Sequence, residues 1–500
     1  MKKRYLRIEF ELTSPLAVGS GENQTTDEDL IRDSSGRPYI PGSALAGVYR
    51  DFFPEKEAED FFGPKLKFPD ETELDQSEIK DTEADSLKGG DLRDSKVITY
   101  DAVISEHSGE KGQPKREHYV SRRDMVALDE FKVSRPGAKF DFEVLEPGCT
   151  FVTYLEMNLD PEDTIGTRNS QGSKGLVDPL NVIAQAYQKG RIALGAKTSR
   201  GYGRIQIKEE GIKEASFDLD DRPISGIPDP EKGVTGLEKW LKFDLYNAKD
   251  PNWKSFDARR EEAELPKRKL LRILLTLAPQ GGISIRQYST AVGDVDYMQL
   301  HLHDLVDENG KVIRNGSSVI PGTSWAGAFQ AQMRKLGMSD AELKEWFGYK
   351  NQRGKKGGRR SAIQFSESQI RGGRSVEYTR NAIDRFTQGT ISGALYSERT
   401  HYGGKLNLEI SIDFSGLNSP SRADVERFLR TLAAAIMDLD AGYLAVGGLT
   451  AIGRGLFCLT ELSIEPDETE LTLKEKEIGY ESLTARLLGA FDILNRKESA

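Results

Sequence analysis

Cysteine is nearly absent. Cys149 and Cys458 are the only two in 500 residues, which excludes a disulfide framework and a cysteine-built zinc site. Histidine is scarce too, at five residues, and no Ser-His-Asp order or Walker-type phosphate loop stands out. No apolar run is long enough to span a bilayer. Met1-Lys2-Lys3-Arg4 leads straight into a strand pattern, so a cytoplasmic protein with no membrane contact is expected. Positive charge is in deficit: the net charge is −10. Bulk attraction to nucleic acid is thereby excluded, and any such contact has to come from local basic clusters. Hydrophobic content of 37% and charged content of 30% suit a globular chain with a wet surface, of about two to four domains by length.

The chain is rich in a repeat. Arg37-Pro38-Tyr39-Ile40-Pro41-Gly42-Ser43-Ala44-Leu45-Ala46-Gly47 recurs as Ser318-Val319-Ile320-Pro321-Gly322-Thr323-Ser324-Trp325-Ala326-Gly327. Each copy reads as a strand end, a tight Pro-Gly turn and a helix, with Ser43 and Thr323 at the expected N-cap. Such a helix start points N–H groups at an approaching anion. A second pair lies downstream of each copy. Gly195-Ala196-Lys197-Thr198-Ser199-Arg200-Gly201-Tyr202-Gly203-Arg204 matches Gly447-Gly448-Leu449-Thr450-Ala451-Ile452-Gly453-Arg454-Gly455. Shared order at this scale predicts a duplicated domain.

Tyr5 to Leu12 alternates, with Leu6, Ile8, Phe10 and Leu12 on one face and Arg7, Glu9 and Glu11 on the other, as in a half-buried strand. Residues 65–95 are polar and acid-rich, and read as an insertion. Asp178-Pro179 and Ser421-Arg422-Ala423-Asp424 open helices. Lys269 to Leu277 is a strongly apolar strand. The predicted division is a first domain over 1–213, a linker over 214–267, a second domain over 268–465 and a C-terminal helix within 466–500. Strand, helix, strands, helix, strand in each half predicts an α+β fold of two tandem ferredoxin-like (RRM-like, βαββαβ) domains.

Basic residues cluster locally. Lys111, Lys115, Arg116, Arg122 and Arg123 form one group, with His118 and Tyr119 among them. Arg353, Lys355, Lys356, Arg359 and Arg360 form another among glycines. Both suit a phosphate backbone, or are solvated loops. The Gly-rich loops place backbone N–H groups and Arg200, Arg204 or Arg454 against phosphates, or are structural turns. His301, His303 and Asp304 offer a weak metal set without a third histidine nearby.

With these motifs assembled, the chain resembles the RAMP superfamily of CRISPR-associated proteins. The resemblance rests on Ile40-Pro41-Gly42-Ser43 with its small-residue helix and on Ser199-Arg200-Gly201-Tyr202-Gly203. It covers most of the chain in two copies, like a tandem backbone subunit of a type III effector. It implies binding along a CRISPR guide RNA, with paired target RNA and other type III effector subunits as partners. A thumb hairpin is implied in each half, near Val120 to Phe142 and Tyr378 to Ser397. It further implies RNA contact by Ser43, Arg50, Arg122, Arg123, Lys197, Ser199, Arg200, Tyr202 and Arg204. In the second half the implied contacts are Thr323, Arg380, Arg385, Thr450 and Arg454. A loop aspartate takes part in metal-dependent target cleavage in the family. Asp27 matches it, with Asp29 in reserve, and Asp294 in the second half, with Asp296 in reserve. Asp27 and Asp294 would then hold Mg²⁺ with waters and the scissile phosphate, or orient a 2′-hydroxyl. A non-catalytic RNA scaffold and a guide-processing endoribonuclease are the alternatives.

Overall fold

The computed structural model describes residues 1–20, 26–64, 95–105, 120–128, 134–160, 177–220, 235–256, 265, 268–288, 295–302, 305–306, 312–314, 316–349, 358–417, 420–466, 473–474 and 478–496. The acid-rich stretch and most of both basic clusters therefore lie outside the described residues, as do Asp294, His118, His303 and Asp304.

The first half runs β1 (Lys2–Leu12), α1 (Gly42–Arg50), α2 (Glu55–Phe62) and β2 (Val97–Thr99), then β3 (Val120–Leu128), β4 (Ser134–Leu145) and β5 (Thr150–Leu159), and closes with α3 (Pro179–Gln188) and β6 (Ile205–Asp218). After α4 (Gly236–Lys242), the second half repeats the order as β7 (Leu270–Pro279), α5 (Gly322–Lys335), α6 (Asp340–Phe347) and β8 (Ile363–Phe365). It continues with β9 (Arg374–Arg380), β10 (Tyr396–Tyr402), β11 (Leu406–Asp413), α7 (Arg422–Asp440), β12 (Phe457–Glu465) and α8 (Tyr480–Arg496). The central strands pair antiparallel in the order β2-β5-β1-β6 in one sheet and β8-β11-β7-β12 in the other. Each half is thus a mixed α/β unit with the same strand order.

Periodicity explains which faces are buried. Leu6, Ile8, Phe10 and Leu12 of β1 pack beneath α1 and α3. The hydroxyls of Tyr49 on α1 and Tyr187 on α3, both buried, meet at 2.8 Å. Asp178 caps α3 by accepting from the N–H groups of Leu180 and Asn181, and the Ser421–Asp424 capping box opens α7. Leu483, Leu487 and Ala490 of α8 join the core of the second half.

Two expectations change. Proline, not the hydroxyl residue, takes the N-cap: Pro41 and Pro321 precede helices that begin at Gly42 and Gly322, and neither helix has a side-chain cap. The N–H of Gly42 donates instead to the Asp101 carboxylate at 2.7 Å. The outer face of β1 is not wet. Arg7 and Glu9 are buried and ion-paired at 2.7 Å. The reason is the segment after β6, which packs back on that face. Leu237, Trp240, Phe243, Leu245 and Trp253 cover Tyr5, Tyr154 and Phe217, and Lys254–Ser255 extends the sheet beside β6. Aromatic burial of this kind contributes roughly 1.5–3 kcal/mol per side chain.

The glycine pattern has one backbone cause in both halves. Gly203 and Gly455 both sit at φ 71°, and a Cβ there would lie 1.8 Å from the Leu194 carbonyl oxygen or 2.0 Å from that of Val446. Gly203→Ala or Gly455→Ala is expected to lower stability by about 1–3 kcal/mol from the strained dihedral, before the clash adds to it. Thermal or urea denaturation of either variant measures this.

Candidate nucleic-acid interface

The two Gly-rich loops fold alike to the residue. Each opens on a glycine at positive φ (Gly195, Gly447) and passes through a left-handed non-glycine residue, Lys197 at φ 59° or Leu449 at φ 58°. Each then forms a 3₁₀ turn, Thr198–Arg200 or Thr450–Ile452. The register of these loops identifies equivalent residues across the halves. The N–H of Ala196 donates to the Ala17 carbonyl and that of Gly448 to the Ser284 carbonyl.

Beside each loop stands an exposed aspartate held in one arrangement. Asp27 accepts from the N–H of Asp141 at 3.0 Å, and its own N–H donates to the Asp141 carboxylate at 3.1 Å. Asp296 accepts from the N–H of Ser397 at 2.7 Å, and its N–H donates to the Ser397 hydroxyl at 3.1 Å. Asp296, the residue held in reserve, is therefore the structural counterpart of Asp27. The N–H and hydroxyl of Ser397 hold the Asp296 carboxyl below the usual carboxylate range. Asp29 is different. It is buried and accepts from the N–H of Thr26 at 3.1 Å and from its hydroxyl, which shapes the loop.

The thumb regions are long hairpins. β3 pairs with β4, and β9 with β10. At the second tip the Asp384 carboxylate accepts from the N–H groups of Phe386 and Thr387 and holds a tight turn. Phe386 is 94% exposed there, with Ile383 and Leu395 beside it in solvent. Arg385 is exposed at the same tip. Residues 129–133, at the other tip, lie outside the described residues.

Several expected RNA contacts are placed elsewhere. Arg123 is 3% exposed and donates to Glu367 of the second half at 3.2 Å. Tyr202 is fully buried against Phe142. Arg454 is buried and bound to Glu398 through both guanidinium nitrogens, at 2.9 and 2.6 Å. Burial pushes the Glu398 carboxyl up, but the hydrogen bonds from Arg454 and Arg380 outweigh it and hold it low. Arg204 grips Glu409 of the second half at 2.8 and 3.0 Å. Arg50 donates to the carbonyls of Phe62 and Gly63. Ser199 and Arg200 are half-buried where the first loop meets the second half, and burial lowers the Arg200 pKa.

Other expected residues do sit near the aspartates. Lys197 donates to Glu28 at 2.8 Å and lies over the Phe142 ring. Arg122 pairs with Asp141, and Arg380 with Glu398. Ser43 is exposed, while Thr323 and Thr450 are half-covered. Arg286, missed in the sequence, is exposed and lies 4.8 Å above the Tyr297 ring, next to Asp296. It replaces Lys197 as the cation of its loop, from a different strand, so no sequence signal marked it. His301 and His401 both meet the Ser318 hydroxyl at 2.9 Å. Among the described residues no group of three His, Cys, Asp or Glu side chains suits a metal. A single open carboxylate is still compatible with Mg²⁺, which is commonly held by one or two carboxylates plus phosphate and water.

Comparison with known proteins agrees with the duplication. The model of the RAMP superfamily matches residues 9–206 and 307–458. No curated protein matches the chain. Among solved structures, a cryo-EM structure of the type III-B Cmr-beta bound to cognate target RNA is similar at 16% identity and a TM-score of 0.27. That similarity spans 43% of this chain and 61% of the other. Among the described residues no helix is long and apolar enough to cross a membrane.

Proposed function

The chain belongs to the RAMP superfamily, and from that premise we propose that it is a backbone subunit of a type III CRISPR effector, built of two ferredoxin-like modules that lie along a guide RNA. Target RNA paired to the guide passes each thumb, and each module cuts it beside its loop aspartate. The observation that carries this reading is the repeated placement of Asp27 and Asp296. Each is exposed, each is fixed by a reciprocal bond involving the backbone of a thumb strand, and each has a chain neighbour that meets a cation, Glu28 with Lys197 and Tyr297 with Arg286.

The chemistry follows from what these groups can reach. Arg122, Lys197 and Arg286 neutralise phosphates. Phe386, on a rigid turn in solvent, offers a face on which a base can stack or be turned aside. One oxygen of Asp27 or Asp296 is tied to a backbone N–H, so the other is directed outward. That oxygen orients the 2′-hydroxyl next to the scissile phosphate and takes up its proton as the 2′-oxygen bonds to phosphorus, giving a 2′,3′-cyclic phosphate, while the bond to the 5′-oxygen breaks and water protonates that leaving oxygen. Asp27 and Asp296 are the residues that would hold Mg²⁺, which would supply charge neutralisation at the phosphate.

The thumb is tested directly. Phe386→Ala is expected to weaken binding of guide–target RNA by the assembled complex about ten-fold, within the ~1–3 kcal/mol typical of base–aromatic stacking. Filter binding at fixed salt reads this. Unchanged affinity would remove the thumb from the interface.

A further inference from the structure

The base of the second thumb holds a chain of four polar contacts. His301 Nδ1 lies 2.7 Å from the Gln299 carbonyl oxygen, and His301 Nε2 lies 2.9 Å from the Ser318 hydroxyl. The same hydroxyl lies 2.9 Å from His401 Nδ1, and His401 Nε2 lies 3.1 Å from the Gly372 carbonyl oxygen. Ser318 and His401 are buried, and His301 is half-buried.

The chain needs one proton more than its neutral groups bring. Both of its ends are carbonyl oxygens, which only accept. Four links between accepting ends require four protons. Two neutral imidazoles bring one each and the hydroxyl brings one, whichever tautomers the rings adopt. One link is then left with two lone pairs facing each other, which is costly among buried groups. An added proton fills it. His301 then donates to the Gln299 carbonyl and to the Ser318 hydroxyl, Ser318 donates to His401 Nδ1, and His401 donates to the Gly372 carbonyl. We propose that His301 and His401 hold one proton between them through Ser318, and that this proton clamps the second thumb to the strand that enters α5. The inference stands on these four contacts and does not depend on the RNA reading.

The linked residues come from separate elements. Gly372 precedes β9, and His401 lies on β10, the two strands of the thumb. His301 follows the strand Tyr297–Gln299, and Ser318 leads into Val319–Ile320 and the Pro-Gly turn. Loss of the proton therefore weakens the hold of the thumb on the strand beneath it. The pair takes one proton and not two. Burial lowers the His401 pKa, His301 pushes it the same way, and hydrogen bonds to the backbone of Gly372 and Gly403 only partly offset this. His401 stays neutral, and the charge falls on the more open His301 ring.

Among the described residues no carboxylate acts on His401. Ser397 and Arg399 share its face of β10, and Arg399 is bound to Glu377 on β9. Glu398 lies on the opposite face with Arg380 and Arg454. From the neighbouring strand, the Gln299 amide is spent on Ile285 and Val319. Arg371, Arg374 and Lys405, at the adjoining turn, are exposed. All four ring nitrogens are used within the chain of contacts, which leaves none for a metal.

The first half lacks the device at the same place. Leu145 is bridged to Leu16 as His401 pairs with Ile283, and Pro38 is bridged to Arg32 as Ser318 is to His301. Leucine, proline and arginine suffice there, so the fold as such needs no proton at this point.

Unfolded imidazoles titrate near 6.5. A proton held more tightly than that in the folded chain stabilises fully below about pH 6.5, and the gain is lost as pH rises through the folded value. The test uses the full chain without RNA, beside Ser318→Ala and His401→Leu, the second of which copies the first half. In His401→Leu, neutral His301 and Ser318 satisfy each other without an added proton. Nitrogen-15 spectra of labelled imidazoles at pH 7.5 are expected to show one charged ring and one neutral Nε2–H ring from the pair in the wild type, and no charged ring from it in either variant. The melting temperature of the wild type relative to His401→Leu should fall by a few degrees from pH 6.5 to pH 8.5. Over that range amide protection in β9 and β10 should drop relative to β4 of the first thumb, and in His401→Leu it should not. Two neutral rings in the wild type at pH 7.5 overturn the proposal. So does a charged ring that survives Ser318→Ala, or a melting difference that is the same at both pH values.

Discussion

Arg123→Ala is expected to destabilise the protein by about 3–5 kcal/mol, the usual cost of removing one partner from a buried ion pair. The guanidinium is 3% exposed and lies 3.2 Å from Glu367 and 4.0 Å from Glu146. Its loss leaves two buried carboxylates facing one another with no cation between them. Burial already pushes the Glu367 carboxyl up, and Glu146 adds to this, while Arg123 opposes it. An acid whose folded pKa is raised contributes most to stability below its unfolded value, roughly 4.3 for Glu. That contribution is lost as pH rises through the folded value. The loss in Arg123→Ala should therefore be larger at pH 8 than near pH 5, where Glu367 accepts a proton at lower cost. Adding Glu367→Gln should recover much of it at pH 8. Urea denaturation at the two pH values measures all three. A change below about 0.5 kcal/mol, as for an ordinary surface substitution, would mean that the joint between the halves does not rest on this pair.

Asp27→Ala and Asp296→Ala are each expected to remove one set of cuts from guide-paired target RNA, by ~10²-fold or more, the scale on which single charge-stabilising groups act in catalysis. Guide binding should be unchanged, because neither side chain is buried or part of a core. Denaturing gels of end-labelled target, cut by the assembled complex, resolve the two sets. Asp294→Ala belongs in the same series. If it and not Asp296→Ala removes the second set, the hydrogen-bond equivalence has misplaced the reacting group. Cutting that persists in all three variants favours a scaffold. The Ser397 bonds keep Asp296 ionised well below neutrality, so its own titration should leave activity flat from about pH 6 upward.

The sequence by itself determined the duplication and the positions of both turns. Gly203 and Gly455 need positive φ and the absence of a Cβ, and Asp178 and Ser421 cap helices with bonds two or three residues away. Such requirements are local, so they leave a residue-type signature at fixed spacing. The helix after Pro41 was legible for the same reason, although its cap was assigned to Ser43 and not to the proline. Tertiary structure alone decided which charged residues face solvent. Arg123 meets Glu367, Arg204 meets Glu409 and Arg454 meets Glu398, partners that lie far along the chain. Arg7 and Glu9 are buried because α4 and the segment after it return over the sheet. Asp296 shares the hydrogen bonds of Asp27 because Ser397 and Asp141 hold them alike. A basic residue reads the same in sequence whether it awaits a phosphate or closes a joint. The difference lies in long-range pairing, which only the folded chain brings about.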